Sequence, residues 1–312
     1  MPCFHINRSN ILARYLIQQG WRGAAADETA DFAMWFPYEG DERRATISLF
    51  DRKFVSQMDD KLTMYQMLQG CGYKDLMPPT FVTLPDYLRH LKQTAAPVSC
   101  YLKFSHSTAG DGVYYFNRLR ALLAFLDEHK YDPGAAIIQQ DVPDGMLLDG
   151  RKFKIRAYVL ILKGWHGFVY REALTVRNER ALDPTSDDAA MHISSDSGDQ
   201  TGLIRDLPGA ERIMEELRQS LASILACFRG PYLSQAIEGD YQLFGFDYIC
   251  DLSDDPYLIE INGFPNLERQ DAVGHQLARD MLCDLKTLVI DPLASGAKPA
   301  TGGFVPVSPD LV

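Results

Sequence analysis

Phe244-Gly-Phe-Asp-Tyr-Ile-Cys250 and Leu258-Ile-Glu-Ile-Asn262 are joined across Leu252-Ser-Asp-Asp-Pro256, a strong turn signal.

 The two segments on either side of that turn carry the most specific pattern in the chain. Side chains alternate across a strand, so Asp247 shares a face with Gly245 and Ile249, while Glu260 and Asn262 share the face opposite Ile259 and Ile261. The turn makes the strands antiparallel neighbours and lets Asp247, Glu260 and Asn262 converge. Two carboxylates and an amide oxygen among apolar residues form a hard-oxygen set suited to Mg²⁺. A divalent ion would also relieve the repulsion between the carboxylates. The same alternation occurs on an ordinary strand pair with one solvated side.

Upstream, Arg151-Lys-Phe-Lys-Ile-Arg156 repeats the period of two with cations. Lys152, Lys154 and Arg156 fall on one face, and Phe153, Ile155 and Ala157 on the other. Residues 151–180 hold eight bases against two acids in a chain whose net charge is −11. Such an island suits a polyphosphate, because arginine makes bidentate contacts with phosphate or carboxylate oxygens. It equally suits a solvated strand face. Further upstream, Cys100 to Ser105 and Val113 to Phe116 read as a hairpin whose loop carries Gly110-Asp111-Gly112. Lys103 beside that loop can meet phosphates, with Gly110 and Gly112 allowing close backbone approach. The pattern is not a P-loop and, taken alone, equals a plain turn. A loop over phosphates, cationic clamps and a metal platform are together what phosphoryl transfer requires.

The chain has 312 residues, 46% hydrophobic and 23% charged, which is the balance of a globular protein with a sizeable core. Acids outnumber bases 42 to 31, which argues against a nucleic-acid partner. No run reaches the roughly 20 apolar residues of a membrane helix. The opening MPCFHINRSN lacks the features of a secretory signal. Six scattered cysteines without a CxxC pair suggest reduced thiols, so a cytoplasmic location is expected. Capped helices are predicted over Ile11 to Gln19, from Lys61 behind Asp59-Asp60, and from Leu84-Pro85. Residues 181–202, rich in Asp, Ser and Thr, read as a mobile loop, and the last 20 or so residues have linker composition. His106 and His192 fall near the site and are read as structural or solvated.

The order and wording of these motifs resemble the tubulin–tyrosine ligase-like family of the ATP-grasp ligases, over residues 50 to 270. Phe244-Gly-Phe-Asp-Tyr through Tyr257-Leu-Ile-Glu-Ile-Asn-Gly-Phe-Pro265 is similar to that family's F-G-x-D…W-L-I-E-x-N-x-x-P signature. Arg151 to Arg156 resembles its R-K-F-D-I-R strand, and Tyr170-Arg-Glu172 with Arg177 resembles its Y-R-E-G…R segment. The resemblance implies an α+β, ATP-grasp fold, with two α+β lobes sandwiching the nucleotide and a small N-terminal α/β domain. The corresponding divisions are 1–58 for the N-terminal domain, 59–143 for the central lobe, 144–291 for the C-terminal lobe with the metal site, and 292–312 for a disordered tail. It further implies Mg²⁺ on Asp247, Glu260 and Asn262, and nucleotide contacts from Lys61, Lys103, Gly110, Gly112, Lys152, Lys154 and Ser195. Gln139, Gln140 and Val142 would surround the adenine in a hinge. Three departures stand out: Lys154 where the family has Asp, Asp141 in place of an aromatic, and His192-Ile-Ser-Ser195 in place of H-L-T-N.

The activity implied is ATP-dependent carboxylate–amine ligation, joining an amino acid to a protein or peptide acceptor through an acyl phosphate. Arg156, Arg177 and Lys152 would take the catalytic positions. Two other readings stay open: a nucleotide-binding pseudoenzyme or scaffold, for which Lys154 and Ser195 speak, and a small-molecule or peptide ligase on the same fold. The chain is acidic and has no basic extension, which does not favour an acidic tubulin tail as acceptor. Nothing in the sequence fixes an oligomeric state.

Overall fold

A computed structural model describes residues 1–7, 10–34, 44–105, 112–130, 132, 134–194, 200–235, 237–268 and 271–307. The chain opens with β1 (Cys3–Ile6), α1 (Asn10–Gln18), β2 (Arg22–Gly23), β3 (Ala30–Met34) and β4 (Ala45–Ile47). These strands form a parallel sheet in the order β2-β1-β3-β4. Two abutting helices follow, α2 (Arg52–Asp59) and α3 (Lys61–Gly70). Asp60 separates them, and its carboxylate accepts the Thr63 N–H at 2.7 Å. That cap satisfies an otherwise orphaned donor and fixes Lys61 as the first residue of α3.

The next layer contains β5 (Thr80–Phe81), α4 (Leu84–Thr94), β6 (Cys100–Phe104), β7 (Val113–Phe116), α5 (Leu119–Glu128) and β8 (Ala136–Gln140). Its antiparallel sheet runs β5-β8-β6-β7. The predicted hairpin is present, with Lys103 paired to Val113.

The remaining elements are β9 (Leu147–Leu148), β10 (Arg151–Leu162), β11 (His166–Tyr170), β12 (Leu174–Arg177), α6 (Ala189–His192), β13 (Gln200–Leu203), α7 (Ala210–Ser234), β14 (Tyr241–Cys250), β15 (Pro256–Asn262), α8 (Ala272–Leu285), α9 (Asp291–Ser295) and β16 (Phe304–Val307). Strands β9 to β16 build an eight-stranded sheet around β10. The architecture is mixed α and β. On one face of β10, Phe153, Ile155, Ala157, Val159 and Ile161 pack with Ile213, Leu217, Leu221 and Phe228 of α7. On the other, Tyr158 and Leu160 join Phe4, Leu12, Phe32 and Met281 in a second core. The N-terminal sheet therefore shares its core with the large sheet. Residues Lys152, Lys154 and Arg156 continue that second face but open onto a cavity, so one face of β10 changes from ionic to apolar along its length.

Three expectations are corrected. The scattered cysteines suggest free thiols, yet Cys71, just after α3, and Cys227 in α7 form a disulfide with Cα atoms 5.9 Å apart. Their sequence separation of 156 residues hides a pairing that only helix packing creates. The C-terminal stretch reads as a disordered tail, yet it supplies α9 and β16. Phe304 is 1% exposed and sits edge-on to Tyr170, with ring centroids 5.1 Å apart. Strand β16 pairs antiparallel with β11, and the Gly303 N–H donates to Asp284 at 2.9 Å. Linker-like neighbours conceal this short Phe-Val-Pro-Val strand, and 308–312 lie outside the described residues. Within 181–202, where a loop is expected, α6 and β13 form. Among the described residues, no helix is long and apolar enough to cross a membrane.

Candidate functional site

The strand register brings the acidic and basic constellations together. Arg156 on β10 pairs with Asp247 on β14, and Asp247 with Glu260 on β15; two residues along, Gly245 faces Asn262. The antiparallel neighbours expected from the turn are therefore present. Asp247 is fully buried. Arg156 straddles it, donating from Nε to one carboxylate oxygen and from Nη2 to the other at 2.8 Å. Lys154 Nζ adds a third contact, 3.0 Å from Oδ2. Burial works against the Asp247 charge, but Arg156 and then Lys154 outweigh it and hold the carboxyl below its ordinary value. Glycine at 245 makes this possible: a Cβ there would come within 2.8 Å of Arg156 Cδ and 3.0 Å of Pro265 Cβ.

The β5–β8 sheet supplies the opposite wall. Lys103 Nζ donates to Gln139 Oε1 at 2.6 Å and to the Ile259 carbonyl at 3.4 Å. Gln139 in turn donates to Thr80 Oγ1 at 3.0 Å. Burial, opposed by Glu260, and then the ammonium groups of Lys61 and Lys154 push the Lys103 amine down to about 8. Gln140 Oε1 accepts from His90 Nε2 at 2.7 Å. Lys152 Nζ donates to Asp141 at 2.5 Å and to the Tyr101 hydroxyl at 3.1 Å, tying the large sheet to the wall.

Between the two lies a cavity of about 580 Å³. Lys61, Lys103, Gln139, Gln140 and Val142 border it from one side, and Lys152, Lys154, Arg156, Glu260 and Asn262 from the other. Asp247 sits beneath Lys154 and Arg156 and does not reach the cavity surface. Arg177, on β12, is paired with Asp149 and does not border the cavity. Gly112 turns the chain into β7 at φ +69°, next to bordering Val113. Gly110, Ser195 and His106 lie outside the described residues.

Several bordering residues were not singled out from the sequence. Arg52, Ser56 and Asp59 lie along one face of α2, at the i, i+4, i+7 spacing that would have revealed them had the helix been predicted. Burial, and then Glu260, push the Asp59 carboxyl up to about 6. Tyr101, also not singled out, and His192, which the sequence places near the site, complete the far end. His192 stacks on Tyr115 with centroids 3.5 Å apart, and its Nε2 donates to the Ser186 carbonyl at 3.0 Å.

The donor set tests whether Mg²⁺ fits. Glu260 and Asn262 border the cavity; one Glu260 oxygen lies 3.1 Å from Lys61 Nζ and leaves the other to a cation, and Asn262 Nδ2 donates to the Gly245 carbonyl at 3.4 Å, which orients the amide. Mg²⁺ takes few protein oxygens and completes its octahedron with phosphate and water, so these two residues fit it. Asp247 does not, because both its oxygens are engaged by cations. Among the described residues, no group of three His, Cys, Asp or Glu side chains could hold a metal ion.

A family model described as the tubulin-tyrosine ligase family matches residues 41–203 and 211–296, which include every element around the cavity. The chain belongs to the tubulin-tyrosine ligase family. A probable tubulin–tyrosine ligase of Schizosaccharomyces pombe is 27% identical over 147 residues, covering 43% of this chain and 36% of the relative. The probable tubulin polyglutamylase TTLL9 of Mus musculus is 25% identical over 198 residues, covering 54% of this chain and 41% of the relative. A probable tubulin polyglutamylase of Caenorhabditis elegans is 22% identical over 220 residues, covering 62% and 53%. This tubulin-tyrosine ligase family protein thus spans between about a third and a half of the curated relatives it matches.

Proposed function

We propose that this protein is an ATP-dependent carboxylate–amine ligase that joins an amino acid to a protein or peptide acceptor through an acyl phosphate. The observation that carries the reading is the cationic face of β10 set across the cavity from the Lys103–Gln139 wall, with Glu260 and Asn262 between them. In this reading the two sheets are the lobes of an ATP-grasp fold, and the nucleotide lies between them. Gln139, Gln140 and Val142 would surround the base, and Lys61, Lys103 and Lys152 would hold the phosphates.

The γ-phosphoryl group would pass to a carboxylate oxygen of the acceptor substrate with loss of ADP. An amine would then attack the acyl carbon, lose a proton, and expel phosphate. Arg156, fixed by Asp247, is preorganised toward the charge that develops, an effect worth on the order of a few kcal/mol. Arg177 would have to leave Asp149 to reach a bound carboxylate. Glu260 and Asn262 would hold Mg²⁺, which when bound supplies charge neutralisation to the phosphate oxygens.

The relatives' names make tubulin the first acceptor to include, although the charge of this chain does not favour it. The cytoplasm is the proposed compartment because it supplies ATP; the Cys71–Cys227 disulfide is unusual for that setting. The test is ADP release across the twenty amino acids, with tubulin and cell lysate as acceptors, followed by mass spectrometry of any species that gains mass. Turnover that Glu260→Gln abolishes is the expected result. Nucleotide binding without turnover under every condition would favour the pseudoenzyme reading, for which the cation-covered Asp247 speaks.

A further inference from the structure

Resting on the nucleotide-site reading, we infer that the Lys154 ammonium is a resident counter-cation that takes the place of a metal ion at Asp247. The alternation of β10 puts Lys154 between Lys152 and Arg156 on the cavity face. Its Nζ lies 3.0 Å from Asp247 Oδ2, and its side chain is 15% exposed while that of Asp247 is 0% exposed. Arg156 already contacts both oxygens of the same carboxylate. One buried carboxylate therefore faces two cations, and the surplus positive charge meets the cavity through Lys154.

A divalent ion approaching Asp247 would need an oxygen at 2.0–2.1 Å that the ammonium already engages, and would meet its like charge at contact distance. Glu260 carries a counter-cation too, Lys61 at 3.1 Å. Phosphate oxygens entering this corner meet fixed ammonium groups first. The Glu260–Asn262 pair keeps a place for one divalent ion, while the Asp247 corner is served by Lys154. Nucleotide affinity should therefore depend only weakly on Mg²⁺.

The experiment is isothermal titration of a non-hydrolysable ATP analogue into the full chain, in EDTA and in excess Mg²⁺, for the native protein, Lys154→Met and Lys154→Arg. The native protein and Lys154→Arg should bind in both media. Lys154→Met should lose about tenfold in EDTA, the size of one charge-assisted contact, and recover in Mg²⁺ as the ion takes the Oδ2 lone pair that the ammonium vacates, beside the one that Arg156 keeps. Collapse of native binding in EDTA overturns the inference but leaves the nucleotide site standing. Equal weakening of Lys154→Met in both media also overturns it, because a purely structural lysine would act that way. Absence of native binding in either medium overturns the nucleotide reading itself, and this inference with it. Should Lys154→Met fail to fold by circular dichroism, the native and Lys154→Arg titrations decide the matter.

Discussion

Lys61, the first residue of α3, holds its ammonium 3.1 Å from a carboxylate oxygen of Glu260 on β15. The lysine side chain is 3% exposed and the glutamate 22%, so the pair spans the edge of the cavity and joins a helix to the large sheet. Lys61→Met should weaken nucleotide binding by about tenfold or more, because it removes a fixed cation and leaves Glu260 uncompensated. Titration calorimetry reads the loss. An unchanged affinity would remove Lys61 from the phosphate site.

The depressed Lys103 amine gives a pH dependence with a definite sign. Its folded value is about 8, below the ordinary lysine value of 10.5. Nucleotide affinity should be level below that point and fall as pH rises through it, because the ammonium is lost. Stability of the ligand-free protein should move the other way. Between about pH 8 and pH 10.5 the unfolded chain binds the extra proton, so this group's contribution to stability rises with pH. Binding and thermal unfolding measured across that window, with Lys103→Met as the flat reference, check both slopes.

Gly245→Ala places a methyl group against the middle of the Arg156 side chain. The guanidinium must shift, and its two-pronged grip on Asp247 is lost with it. Overpacking of this kind costs about 1–3 kcal/mol of stability. Turnover should fall far more than the melting temperature implies, and assay of ADP release on the folded fraction separates the two effects.

Phe304→Ala removes a 1% exposed ring from the second core. A loss of about 3–5 kcal/mol is expected, measurable by urea unfolding. Near-native stability would return the C-terminal segment to the disordered tail that its composition suggests.

Local alternation made the site's large sheet legible. Asp247, Glu260 and Asn262 share a face because a period of two is intrinsic to the strand, and the turn at 252–256 fixes the partner. The basic face of β10 and the cap before Lys61 were readable for the same local reasons. What failed to show was long-range. Nothing local says that Lys154 lies over Asp247, that an α2 face bearing Arg52, Ser56 and Asp59 turns to the cavity, or that Arg177 turns instead to Asp149. Those facts depend on how sheets and helices stack. Composition misled for Phe304 because four strand residues sit among residues of linker character.

The bond between Cys71 and Cys227 makes the intervening polypeptide a covalent ring. Tyr101, Lys103, Gln139, Lys152 and Arg156 all belong to it. A single protease cut within the ring would leave one nicked molecule of unchanged mass, apart from an added water, and only a thiol reductant would let the two fragments migrate separately.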